Sequence, residues 1–167
     1  MHERPDEILK RYLQDAIAAE RSFESQLRTF AREADDPELE RLFSDHAEET
    51  RTQHERLSGR LEETGGSPSA GKSFLAHLYG IAPKAAQLGQ EKTERVTQDL
   101  IIAFAVENSE IAMYEALAVA AMAADDSETE QLARRIQEEE RIASERVWRM
   151  LGPAARRSFD TLAIRAA

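Results

Sequence analysis

Apolar residues recur at spacings of three and four along four stretches of this chain, the period of a helix that buries one face. The first stretch runs from about residue 5 to 34 through Leu9, Tyr12, Leu13, Ala16, Phe23, Leu27 and Phe30. Asp36-Pro37 then reads as an N-cap with proline at the first helical position. It opens a second helix, over about 37–64, carrying Leu39, Leu42, Phe43, Leu57 and Leu61. Gly65-Gly66-Ser67-Pro68-Ser69 ends that helix. A third spans about 91–123, with Leu100, Phe104, Ile111, Leu117 and Ala118 inward. Asp125-Asp126-Ser127 opens a fourth, over about 127–151, with Leu132, Ile136, Ala143, Val147 and Met150 inward and a stop at Gly152-Pro153.

Residues 65–90 make a connection long enough to cross over along a bundle, with a short helix inside it. Residues 152–167, with Phe159, Leu162 and Ile164, form a C-terminal arm. The pattern therefore predicts an all-α chain with one domain over 1–167, an antiparallel four-helix bundle of two helical hairpins joined by the crossover. An internal echo fits that division. Ala34-Asp35-Asp36-Pro37-Glu38-Leu39-Glu40 resembles Ala124-Asp125-Asp126-Ser127-Glu128-Thr129-Glu130, and both are helix–turn–helix corners. Superposing the corners lays Glu49 on Glu139 and Glu20 on Glu110.

Each apolar stripe is broken near its middle by a carboxylate. Helical residues advance by about 100° each, which puts Glu20 between Ala16 and Phe23 at the centre of its stripe, and Glu107 likewise between Phe104 and Ile111. In the second helix His46 is central and Glu49 lies toward the edge; Glu110 is a similar flanking residue one turn beyond Glu107. In the fourth helix Glu139 and Glu140 fit about equally, and the corner superposition favours Glu139. Glu20 and Glu49 are comparably distant from the first corner, as are Glu107 and Glu139 from the second, so antiparallel packing brings all four to one level.

Buried carboxylates need a shared counter-charge or they lose their own. No Lys or Arg lies on these stripes beside them, so the expected counter-charge is a pair of metal ions. Carboxylate oxygens with one or two imidazoles suit iron or manganese. The other acids of the fourth helix, Glu138, Glu140 and Glu145, read as a solvated face, His54 as a surface residue, Tyr114 as core packing and Trp148 as packing near the helix end or an interface.

Composition narrows the function further. A net charge of −10 over 167 residues argues against a nucleic-acid binder, which needs a basic patch. The absence of cysteine excludes disulfides, thiolate metal sites and a cysteine nucleophile. The start, Met1-His2-Glu3-Arg4-Pro5, has no apolar leader core and no stretch approaches a membrane span, so no membrane partner is expected and the cytoplasm is the expected compartment.

Three segments resemble a known family: His46-Ala47-Glu48-Glu49-Thr50, Val106-Glu107-Asn108-Ser109-Glu110-Ile111-Ala112-Met113-Tyr114, and Ile136-Gln137-Glu138-Glu139-Glu140. From about Leu9 to Leu151 the chain is similar to ferritin-like proteins, closest to the YciF-type (DUF892) bacterial stress-associated proteins. The resemblance implies a four-helix bundle, often a homodimer, with a carboxylate-rich dinuclear metal site for which iron is favoured. Carried over by position, it gives Glu20, Glu49, Glu107 and Glu139 as ligands, favouring Glu139 over Glu140, with Glu110 as an extra carboxylate. His46 completes or orients one site. Wider relatives oxidise iron or reduce peroxide at such sites, so Fe(II) oxidation or reduction of dioxygen or peroxide is the expected chemistry. One departure stands out. The superfamily's Glu-x-x-His motif is missing, because Thr52 follows Glu49 and Ile142 follows Glu139 where histidine belongs. The rival reading is a non-catalytic dimeric stress or scaffold protein with a degenerate site.

Overall fold

A computed structural model describes residues 4–34, 36–67 and 91–165. Within them the chain forms four helices: α1 (Pro5–Glu33), α2 (Pro37–Glu63), α3 (Lys92–Ala123) and α4 (Ser127–Arg165). The expected short helix of the crossover falls on residues 68–90, outside the described residues. α1 packs along α2 and α3 along α4, while α1 against α3 and, more loosely, α2 against α4 join the hairpins. The fold is an all-α four-helix bundle.

Local chemistry sets the corners. The Asp36 side chain accepts from the Glu38 backbone N–H at 2.8 Å, with Pro37 in the first turn. At the second corner Asp125 takes a left-handed φ of 57°, and Asp126 accepts from the Thr129 N–H at 3.0 Å. A short polar side chain tolerates that φ better than most. Arg60, at the end of α2, binds Asp126 at 2.7 Å and donates to Thr129 at 2.9 Å. Arg157 of α4 reaches Asp36 at 3.1 Å. Both ends of the α2–α4 seam are therefore tied by arginine.

The fourth helix does not stop near residue 151. It continues through Gly152-Pro153 to Arg165, with Pro153 inside it. Proline removes one backbone donor and crowds the preceding turn, but burial outweighs that cost: Ala154 and Ser158 are buried, and Ala154 belongs to the apolar cluster that holds Phe43 and Val147. Residues 152–165 are therefore helix rather than a separate arm.

The apolar core is not continuous. One block gathers Leu13, Ile17, Leu57, Leu61, Tyr114, Leu117 and Ile136 with their neighbours. The other gathers Phe23, Leu27, Phe43, Ala47, Leu100, Val106 and Val147. On every helix the break between blocks falls at the same level: Glu20 on α1, Thr50 and Gln53 with His46 at the edge on α2, Glu107 and Glu110 on α3, Glu140 on α4. A polar layer thus lies between two apolar blocks.

Candidate metal centre

Each helix delivers its polar residue by keeping its apolar spacing unbroken on either side, so the acid is carried inward with its neighbours. Glu20, Glu107 and Glu110 are fully buried, Glu140 is 1% exposed and His46 2%. Two groups of ligand atoms form there. His46, Glu107 and Glu140 make one, and Glu20, Glu110 and Glu140 the other; within each group the atoms lie within 4.8 Å of one another. Glu140 belongs to both.

His46 Nε2 stands 2.8 Å from Glu107 Oε1, and neither atom has a hydrogen-bond partner among the described residues. The Phe23 ring meets the imidazole edge-on at 5.5 Å and fixes its plane. The Glu107 and Glu140 carboxyls face each other closely enough to share a proton. Tyr114 donates its phenolic hydrogen to Glu20 Oε1, which leaves Glu20 Oε2 with no partner among the described residues. Glu140 Oε1 is likewise unsatisfied.

Burial governs the charge state. It pushes the Glu107 carboxyl up to about 8, with the Glu20 charge adding to the effect. It also raises Glu140 well above the carboxylate range, helped by Glu107, and Glu20 likewise, helped by Glu140. The same desolvation lowers His46, so its imidazole is neutral with a lone pair to give. Tyr114 is raised by burial and by Glu20, which keeps its phenol protonated. At neutral pH the metal-free layer is therefore held together by protons.

The donor set fits a cation. It offers hard carboxylate oxygens and one imidazole, without sulfur, converging from four helices with unsatisfied lone pairs. Buried polar atoms without partners are uncommon in native proteins and call for an explanation, of which an ion is one.

Of the residues expected from sequence, the structure brings Glu20, His46, Glu107 and Glu110 together, and leaves Glu49 and Glu139 outside. Those two are 45% and 42% exposed. Arg146 grips Glu49 with two donors, one at 2.9 Å, and Arg56 grips Glu139 the same way, also with one at 2.9 Å. Gln53 adds a bond to Glu139 at 3.2 Å. Spacing puts no arginine on the stripes beside the carboxylates, yet two arginines off the stripes supply the counter-charge for Glu49 and Glu139. Arg56 and Arg146 lie toward the helix edges, and their long side chains reach across from one helix to the other. Glu140 takes the inward position on α4 rather than lying on a solvated face. The sequence held the signal, because Glu140 lies four residues after Ile136 and seven before Val147, both fully buried. His54 is mostly covered and stands 3.3 Å from Glu24, and Trp148 is exposed against the Phe104 ring at 5.1 Å.

Residues 4–159 match the family model described as a domain of unknown function, DUF892. The chain belongs to the DUF892 family. No curated protein matches it. Among solved structures, a protein from Xanthomonas campestris pv. campestris is 28% identical, with a TM-score of 0.79 over 95% of this chain and 98% of that one. The E. coli stress protein YciF is 22% identical, with a TM-score of 0.82 over 93% of this chain and 99% of its own. A Dps protein from Bacillus brevis, 18% identical, overlays with a TM-score of 0.73 over 90% of this chain and 99% of its own. The DUF892 chain thus shares its fold, the ferritin-like four-helix bundle, with YciF and Dps. Its buried His and Glu groups are compatible with metal binding, and no helix among the described residues is long and apolar enough to cross a membrane.

Proposed function

We propose that this DUF892 protein binds two iron or manganese ions in the polar layer and oxidises Fe(II), or reduces dioxygen or peroxide, in oxidative or general stress protection. One observation carries the reading: two three-residue ligand groups share Glu140, the arrangement a carboxylate shared between two ions requires. A bound pair would supply electrons side by side to one small oxidant.

The chain's own residues prepare that chemistry. Tyr114 holds one oxygen of Glu20, so only the other is free to ligate. Neutral His46 offers a lone pair without first losing a proton. The protons on Glu107, Glu140 and Glu20 must leave as cations enter, and the apolar blocks on both sides keep bulk water away. Glu49 and Glu139 complete the ligand set in the loaded state by leaving their arginines. A homodimer belongs to the same reading: exposed Ile101, Trp148 and Phe159 give α3 and α4 an apolar outer face to cover, which sedimentation velocity tests.

The non-catalytic reading has one observation in its favour, namely that Glu49 and Glu139 already have guanidinium partners. Aerobic addition of Fe(II) separates the two. Oxidation faster than in protein-free buffer is expected, and a rate equal to that of buffer would contradict catalysis.

A further inference from the structure

We propose that Arg56 and Arg146 gate the metal centre, holding Glu49 and Glu139 away from it across a groove between α2 and α4 through which cations enter. The inference rests on the metal-binding reading and adds to it the entry route and the residues that control it.

Three observations converge. A groove of about 410 Å³ opens between α2 and α4 and is lined by Glu49, Thr52, Arg56, Glu139, Ile142 and Arg146. These six form three pairs separated by 90 residues, the offset that superposes the two corners, so the groove follows the internal repeat. The ion pairs are reciprocal: the arginine of each helix holds the glutamate of the other. Finally, Nε of both Arg56 and Arg146 is buried without a hydrogen-bond partner. Each guanidinium satisfies its carboxylate-facing donors while its Nε goes unmet. That desolvated donor is a cost of the closed state, relieved when the guanidinium swings out to water as the carboxylate finds another partner.

Charge accounts for the direction of the exchange. With both pairs closed the rim is neutral, two positive charges against two negative. Both guanidinium groups also neighbour the buried acids, Arg56 near Glu20 and Arg146 near Glu107 and Glu140, so positive charge already stands beside acids that must shed their protons when a cation arrives. They occupy the electrostatic role that cations take over. As a cation enters the groove it repels the guanidinium groups and attracts Glu49 and Glu139, which follow it inward.

The test is Mn(II) uptake by the full chain at low salt, followed by stopped-flow mixing and equilibrium dialysis. Three proteins are compared: wild type, R56Q/R146Q and E49Q/E139Q. Removing the arginines changes the rim from neutral to two negative charges, so R56Q/R146Q is expected to take up Mn(II) about tenfold faster or more, with a steeper salt dependence. E49Q/E139Q is expected to be at least about tenfold slower, since the carboxylates that draw the cation in are gone. Should R56Q/R146Q not fold, by circular dichroism, R56K/R146K keeps the charge but loses the two-pronged grip, and acceleration is still expected. Unchanged or slower uptake by a folded arginine variant, beside normal uptake by wild type, would overturn the gate alone. No uptake by wild type would remove the metal reading and the gate with it.

Discussion

Glu140 and Glu139 are adjacent in sequence and opposite in fate. Glu140 is shared by both ligand groups, while Glu139 is pinned at the rim by Arg56 and Gln53. Glu140→Gln removes a donor from both ions at once and is expected to lower Mn(II) affinity about 100-fold or more, whereas Glu139→Gln costs about tenfold. Isothermal titration of the two variants checks the order. The acids also set a pH dependence whose sign is fixed. Glu107 sits near 8 in the folded chain against 4.5 when free, so between those values the folded state holds a proton that the unfolded state has lost. Metal-free stability should therefore fall as pH rises across that window, by up to about 1.4 kcal/mol per pH unit for this group. The metal-loaded protein, whose ligands have already shed those protons, should lose that slope, so the metal-induced rise in melting temperature should grow with pH across the same window. Urea titrations in chelator at pH 5 to 9 check the first trend. Glu107→Gln should make it shallower, leaving the share carried by Glu20 and Glu140.

Among the elements, α4 carries the difference between sequence and structure. Gly152-Pro153 is a strong local stop signal, and spacing alone ends the helix there. A buried face at Ala154 and Ser158 and the Arg157–Asp36 pair carry it on to Arg165. Local propensity was legible, while the tertiary surface that outweighs it was not. Pro153→Ala is accordingly expected to stabilise the protein by about 1–3 kcal/mol in urea unfolding, since the helix is formed in either case. At the second corner, Asp126 caps α4 and receives Arg60 from α2. Asp126→Ala should cost about 1–2 kcal/mol, chiefly the lost cap.

Over the whole molecule, the repeat is what sequence and structure share most closely. The corner echo placed Glu49 on Glu139, and the structure returns that correspondence as two reciprocal ion pairs on facing helices. Four helices, their corners and the interrupted stripes are readable from spacing alone, as are the inward positions of Glu20, His46 and Glu107, whereas Glu110 reads by angle as a flanking residue and enters the set through the family resemblance. The rim is not readable this way. A stripe argument scores residues by angle on their own helix, and Arg56 and Arg146 act across to another, where only assembled geometry reveals them. Tyr114 was hidden for a related reason: it packs as a core residue while its hydroxyl serves Glu20 on α1. The central claim is that the layer dividing the core is built for cations. Its most direct test is the metal content of protein purified from iron- and manganese-replete medium, measured by inductively coupled plasma mass spectrometry. Two ions per chain are expected for wild type, with loss of both in Glu140→Gln. A wild-type protein that is folded yet metal-free, and stays so after dialysis against Fe(II) and Mn(II), would contradict the account.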